Sequence, residues 1–167
     1  KINPLRPQYH SYAHVADYLE TLNCVVDRHV LGPLTAEVLR NWDALVIIHP
    51  TDTHKHKGVG GSPIFVDEEI NAIDEWVRNG HCLFMLNEYN AAHWGGNLNQ
   101  LCSRFGMTFT DDALNDLVHY DSSPQWPYIQ VFEPHQVTKD ITRIVFYAGA
   151  TVAIGRGAKG VAFSGPA

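Results

Sequence analysis

Apolar residues recur along this chain with two different periods. Between Asp67 and Asn79 the residues Ile70, Ile73, Trp76 and Val77 share one face of a helix. Asp67, Glu68 and Glu69 crowd its first turn, where the helix dipole favours negative charge. Gly80 stands where a left-handed residue commonly closes a helix. Cys82-Leu83-Phe84-Met85-Leu86 is then wholly apolar. A strand without polar alternation is one buried on both faces, as in a parallel sheet flanked by helices. Asn87-Glu88-Tyr89-Asn90 break into a polar turn, and a second helix starts near Asn97 with Leu98, Leu101, Cys102 and Phe105 on its apolar side until Gly106 ends it.

The same reading extends to both ends. Lys1–Gln8, with Pro4 and Pro7, has no periodicity and is expected to be a loop. Tyr12, Val15, Ala16, Leu19 and Leu22 then mark a helix, and Cys24–Val26 a short strand. Thr35 is placed to cap a small helix carrying Val38, Leu39 and Trp42. Asp43–Ile48 is the clearest strand. Helix, strand, helix, strand in this order implies right-handed crossovers onto a parallel sheet. Such folds normally begin with a strand, so the chain is expected to be one domain over 1–167, a fragment of a longer protein whose first strand lies upstream. A long connection, His49–Phe65, carries Gly58, Gly60, Gly61 and Pro63. Further on, Met107–Phe109, Ile129–Phe132, Ile144–Tyr147 and Thr151–Ile154 are strand candidates, with Val161–Phe163 starting another. Asp111–Tyr128 is irregular around Trp126. The expected architecture is a three-layer α/β sandwich with a mainly parallel, flavodoxin-like sheet, the late strands being candidates for antiparallel pairing.

Composition narrows the function classes. The 167 residues, 45% hydrophobic and 18% charged, are ordinary for a globular domain. Twelve basic against 18 acidic residues give −6, without a Lys/Arg cluster, which argues against nucleic acid and anionic membrane surfaces as partners. The longest apolar runs are too short to span a bilayer. Cys24, Cys82 and Cys102 are odd in number and lack metal-ligand spacing. Their apolar neighbours make buried free thiols the expectation, and with them a reducing, cytoplasmic compartment.

Asn79-Gly80-His81-Cys82-Leu83-Phe84-Met85-Leu86-Asn87-Glu88 resembles a glycine-strand-Glu segment of the class I glutamine amidotransferase-like superfamily. The branch it resembles includes the GIFT domain of intraflagellar transport and gliding proteins and related bacterial domains. Asn97–Leu101 with Phe105-Gly106-Met107, Pro134–Ile141 and Tyr147-Ala148-Gly149-Ala150-Thr151 are similar to later motifs of that branch, in the same order. Gln136 departs from the usual proline, and the Asp52–Pro63 loop is longer than expected. The resemblance implies an amidotransferase-like fold. The chemistry of the superfamily places a cysteine on the sharp turn after this strand, assisted by His and a carboxylate. This chain has Glu88 at or near that position. Cys82 lies at the opposite end of the strand, and Cys102 sits in a helix. Without a placed thiol, His119-Tyr120-Asp121 has nothing to activate and is expected to anchor its loop by hydrogen bonds.

Candidate chemistry gathers at the carboxyl ends of the strands, where open α/β sheets bind ligands. Glu88 is suited either to acid–base work or to fixing its own turn. Tyr89, Asn90, His93 and Trp94 follow it, and His49, Asp52 and His54 leave the strand Asp43–Ile48 at the same edge; together these eight are the expected ligand-binding residues. His10, His14 and His56 belong to the same rim. Imidazoles and carboxylates on one rim suit a transition metal, but Lys55 and Lys57 would repel one, so neither a metal nor another cofactor is expected. Two function classes remain. One is a catalytically inactive amidotransferase-like module that binds a small ligand, such as a carbohydrate, or a protein partner within a larger chain. The other is a hydrolase using Glu88 with rim histidines, with or without a metal.

Overall fold

The computed structural model describes residues 12–29, 31–50, 64–89 and 96–165. The chain divides into two compact units, Lys1–Leu34 and Thr35–Ala167. The loop expected at Lys1–Gln8, the question of a first strand there, and most of the connection after Pro50 lie outside the described residues.

In the first unit, α1 spans Ala13–Thr21, as its apolar spacing predicts. Leu22 and Asn23 close it through N–H bonds back to Leu19 and Glu20, Asn23 taking a left-handed φ of +62°. The strand expected at Cys24–Val26 does not form; residues 24–29 are extended or irregular without a ladder. Apolar and β-branched residues favour extended backbone, but a strand exists only where a neighbour takes its N–H and C=O groups.

In the second unit, Thr35 accepts the Val38 N–H at 3.3 Å and starts α2, Ala36–Leu39. β1 is Ala44–Ile48, α3 is Asp67–Arg78 and β2 is Cys82–Leu86. The Glu69 carboxylate reaches back to the Val66 N–H at 3.0 Å, satisfying a donor that the helix start leaves unpaired. β1 and β2 pair in parallel, from Ala44 opposite Cys82 to Ile48 opposite Leu86. α4, Leu98–Cys102, continues as a short 3-10 turn to Phe105. Gly106 then reverses the chain at φ +72°. A Cβ there would lie 2.5 Å from the Arg156 carbonyl oxygen, so glycine is required on steric grounds as well.

The core of this unit lies on one side of the β1–β2 pair. Ile47, Ile70, Ile73, Trp76, Leu98, Leu101 and Cys102 are buried, and Cys102 Sγ meets Met85 Sδ at 3.6 Å, which fixes α4 against the Met85 face of β2. The opposite face differs from expectation. Val46 and Phe84, partners in the ladder, are 45% and 57% exposed. An unbroken apolar run shows that both faces of a strand are apolar; it does not by itself cover both.

The remaining strands correct the expectation of a mainly parallel sheet. β3 (Met107–Phe109) pairs with β7 (Val152–Ile154), β4 (Tyr128–Ile129) with β6 (Ile144–Val145), and β5 (Val131–Phe132) with β8 (Ala162–Phe163), all antiparallel. Among the described residues, β1–β2 is the one parallel pair. The physical reason lies in the connections. Parallel neighbours need a long crossover, usually a helix, and the described chain after Phe105 has no α-helix between its strands, only irregular segments, turns and the three-residue 3-10 helix Gln136–Thr138. The fold is therefore mixed α/β, with the late strands antiparallel.

Candidate functional site

β1 and β2 run in parallel and in register, so their carboxyl ends deliver His49 and Asn87-Glu88 to the same edge. The His49 N–H continues the ladder to the Leu86 carbonyl at 2.8 Å. His49 then leaves the strand with φ +33°, a conformation uncommon for a residue with a Cβ. This turn brings the imidazole back over the end of β2. Nδ1 lies 3.3 Å from the Glu88 N–H and 3.2 Å from Asn87 Oδ1, and Nε2 lies 3.5 Å from Glu88 Oε2.

These three distances define two proton arrangements. With the ring neutral and its proton on Nε2, Nδ1 accepts the Glu88 N–H while Nε2–H faces the Glu88 carboxylate. With the ring protonated, Nδ1–H donates to Asn87 Oδ1 and the ion pair with Glu88 is complete. In both, His49 orients the carboxylate and the turn together. The His49 side chain is only 16% exposed and Glu88 49%, so the imidazole is a buttress and the carboxylate faces outward. Tyr89 follows, exposed beside it.

A distant segment completes the floor of this edge. Glu88 forms an isolated antiparallel bridge with Gly149, inside the stretch Tyr147–Thr151 that the sequence singles out but does not link to the site. Gly149 and Ala150 are buried. A Cβ on Gly149 would lie 2.0 Å from the Phe146 ring, so the ring packs directly on the glycine. Thr151 is anchored in turn by Asp112: Thr151 Oγ1–H and N–H donate to its carboxylate at 2.6 and 2.8 Å, and Thr110 Oγ1–H at 2.7 Å. Those hydrogen bonds, from Thr151 and then Thr110, hold the Asp112 carboxyl below its ordinary value of 3.8.

Of the expected ligand-binding residues, the structure thus brings His49 and Glu88 into contact and puts Tyr89 beside them. Asp52, His54, Asn90, His93 and Trp94 lie outside the described residues, as do His10 and His56. His14 stands in the first unit, 3.8 Å from Asp17 and fully solvated. Asn87 and Gly149 were not expected. Asn87 carried a signal, being the first polar residue after the apolar run; Gly149 lies in the Tyr147–Thr151 motif but contributes through its backbone, and nothing in that motif points to the Glu88 turn. Among the described residues no group of three or more His, Cys, Asp or Glu is arranged to hold a metal ion.

The thiols are correctly read as free but not as buried. Cys24 and Cys82 are exposed, and Cys102 alone is buried. Cys82 opens β2, opposite Ala44, so its side chain falls on the uncovered face of the pair. Burial pushes the Cys102 thiol up to about 11, which keeps it protonated and poorly nucleophilic. Neither Cys82 nor Cys102 is at the Glu88 turn. The His119–Asp121 stretch is a hydrogen-bonded loop, as expected: Asp116 Oδ1 accepts the Val118 and His119 N–H groups at 2.8 Å each, and Tyr128 N–H donates to the His119 carbonyl. The motif Pro134–Ile141 lines a separate shallow depression of about 320 Å³, with Phe132, Glu133, His135 and Lys139 at its walls.

No protein-family model matches this chain, and no curated protein matches it by sequence. Among solved structures, the chain is similar to the mmIFT52 N-terminal domain, with a TM-score of 0.65 and 14% identity. The match covers 80% of this chain and 61% of that one, so this chain spans less than two thirds of the length it is compared with. At this identity the likeness is one of fold, and the fold is the one that the four ordered motifs imply. No helix among the described residues is long and apolar enough to cross a membrane.

Proposed function

We propose that this chain is a non-catalytic amidotransferase-like module that binds a small hydroxyl-bearing ligand, a carbohydrate above all, or a protein segment at the carboxyl edge of β1 and β2, as one domain within a longer protein. The observation that carries this reading is the pairing of His49 with Glu88 at the turn where the superfamily's chemistry needs a cysteine. A carboxylate held outward by a fixed imidazole offers acceptors to hydroxyls, and it offers no nucleophilic sulfur. Asn90, His93, Trp94, Asp52 and His54 belong to the proposed surface through their places in the chain. The aromatic rings of Tyr89 and Trp94 would supply flat faces for a sugar ring. A three-layer arrangement, with a further helical layer over the Val46–Phe84 face, belongs to the same reading. So does a reducing, cytoplasmic location, which the free thiols support; the net charge of −6 argues against nucleic acid as the partner.

The test has two arms. Purified protein is assayed for ammonia release from glutamine, and it is screened by thermal shift against mono- and oligosaccharides. The proposal expects no glutaminase activity and at least one sugar or polyol that raises the melting temperature. Glutaminase activity abolished by a single Cys→Ser change would overturn it. A second reading, hydrolysis with Glu88 and His49 as an acid–base pair, is favoured by their 3.5 Å contact. Turnover of chromogenic glycosides or esters that disappears in both Glu88→Gln and His49→Ala would put that reading in place of the first.

A further inference from the structure

The depression at the Pro134–Ile141 motif is a second place where polar and apolar side chains converge. Its volume of about 320 Å³ is at the lower end of the range for small-molecule sites, which suits a ligand of amino-acid size. Its backbone is tied at several points. Thr138 Oγ1–H donates to the Glu133 carbonyl at 2.7 Å, and the same oxygen accepts the His135 N–H at 3.1 Å. Glu133 N–H donates to the Val161 carbonyl at 3.0 Å, next to β8, and Ile141 N–H donates to the Thr138 carbonyl at 3.2 Å. The turn is therefore formed without a ligand.

Three lining side chains carry the polar chemistry. Val137 N–H donates to His135 Nδ1 at 3.2 Å, so in the neutral ring the proton sits on Nε2, which is left to donate. Glu133 supplies a carboxylate and Lys139 an ammonium. Among the described residues neither side chain forms an ion pair or a hydrogen bond. Two opposite charges thus line one depression without neutralising each other. Phe132, Pro134 and Ile141 supply the apolar part of the lining. A simple anion drawn to Lys139 would also meet Glu133, and a simple cation drawn to Glu133 would also meet Lys139. A neutral apolar molecule would leave both charges unanswered. A dipolar ion with an apolar side chain answers every part of the lining.

We propose that this depression binds a small zwitterion with an apolar side chain, an α-amino acid, its carboxylate toward Lys139 and His135 and its ammonium toward Glu133. Because the turn is already built, binding does not have to order it. The proposal does not depend on what the carboxyl edge of β1 and β2 binds.

The probes are L-phenylalanine, N-acetyl-L-phenylalanine, which lacks the ammonium, and L-phenylalanine methyl ester, which lacks the carboxylate. Each is titrated by saturation-transfer-difference NMR into wild type, Glu133→Gln, Lys139→Gln and a Lys159→Gln control. Lys159 is likewise an exposed lysine but does not line the depression. Wild type and control should bind L-phenylalanine saturably, with a Kd on the order of 1 mM. Removing either charge, from the ligand or from the protein, should weaken binding by about three- to fivefold, the size of a solvent-screened ion pair. The two removals should not add: the ester should bind Lys139→Gln as well as wild type, and the N-acetyl compound should bind Glu133→Gln as well as wild type. Circular dichroism checks that the variants, altered at exposed side chains, are folded. Absence of saturable binding, or equal binding of L-phenylalanine by all four proteins, would overturn the proposal. Displacement of L-phenylalanine by an equal concentration of acetate would overturn it too, assigning the depression to simple anions.

Discussion

His49 holds a positive φ while its ring takes two neighbours from the adjacent strand end, so its backbone cost is offset by the turn that it organises. His49→Ala removes the Glu88 N–H acceptor and the carboxylate's partner together. The expected loss is about 1–2 kcal/mol in urea melts, within the range for partly buried hydrogen bonds to charged groups. Asp112 gives a pH dependence with a definite sign. Its carboxyl is held below 3.8 in the folded protein, so its contribution is present above that value and is lost as pH falls through the lower folded value. Wild type should exceed Asp112→Asn at neutral pH by a fraction of a kcal/mol, since this carboxylate is solvent-screened, with the gap closing in strongly acidic buffer. A constant gap across that range would show that the hydrogen bonds from Thr151 and Thr110 are not what holds the charge. The thiols separate by exposure: brief alkylation of the native protein should label Cys24 and Cys82 and spare Cys102, as read by peptide mass spectrometry. Labelling of Cys102 at a comparable rate would mean that the core around it opens readily.

Helix α3 and Gly106 are the elements on which the second unit turns. Ile73 is fully buried, and Ile73→Ala should cost about 2–5 kcal/mol through lost burial and a residual cavity. Gly106→Ala combines a left-handed φ with a Cβ 2.5 Å from the Arg156 carbonyl, so it should destabilise by more than the ordinary ~1 kcal/mol of a glycine replacement. A variant as stable as wild type would require the Arg156 turn to move aside at no cost. These elements were legible because their signals are local: apolar spacing, acidic first turn and Gly80 for α3, the unbroken apolar runs for β1 and β2. The late strands were legible as segments but not as partners. Met107–Phe109 contains no indication that it will meet Val152–Ile154, since pairing depends on where the chain returns. Cys24–Val26 failed for the same reason, its strand-like residues having no ladder to join. The burial of Val46 and Phe84 was misjudged because hydrophobicity states what a side chain prefers, while coverage depends on another element.

Across the molecule, parallel pairing of β1 with β2 turns two separate sequence signals into one site. The apolar runs set the register, and the register sets His49 against Glu88. The residues on the edge were readable from strand direction alone, whereas Asn87 and the Gly149 bridge came from contacts across 38 and more positions that no local pattern records. The likeness in fold to the mmIFT52 N-terminal domain fits the order of the motifs, and the Glu88 turn is where binding without amidotransferase chemistry has to be decided. The direct measurement is titration calorimetry of the strongest sugar or polyol from the thermal-shift screen into wild type, Glu88→Gln and His49→Ala. Binding at this edge predicts affinity weakened by about tenfold or more in both variants, with both still folded by circular dichroism. Unchanged affinity in two folded variants would contradict it and move the working surface off the carboxyl edge.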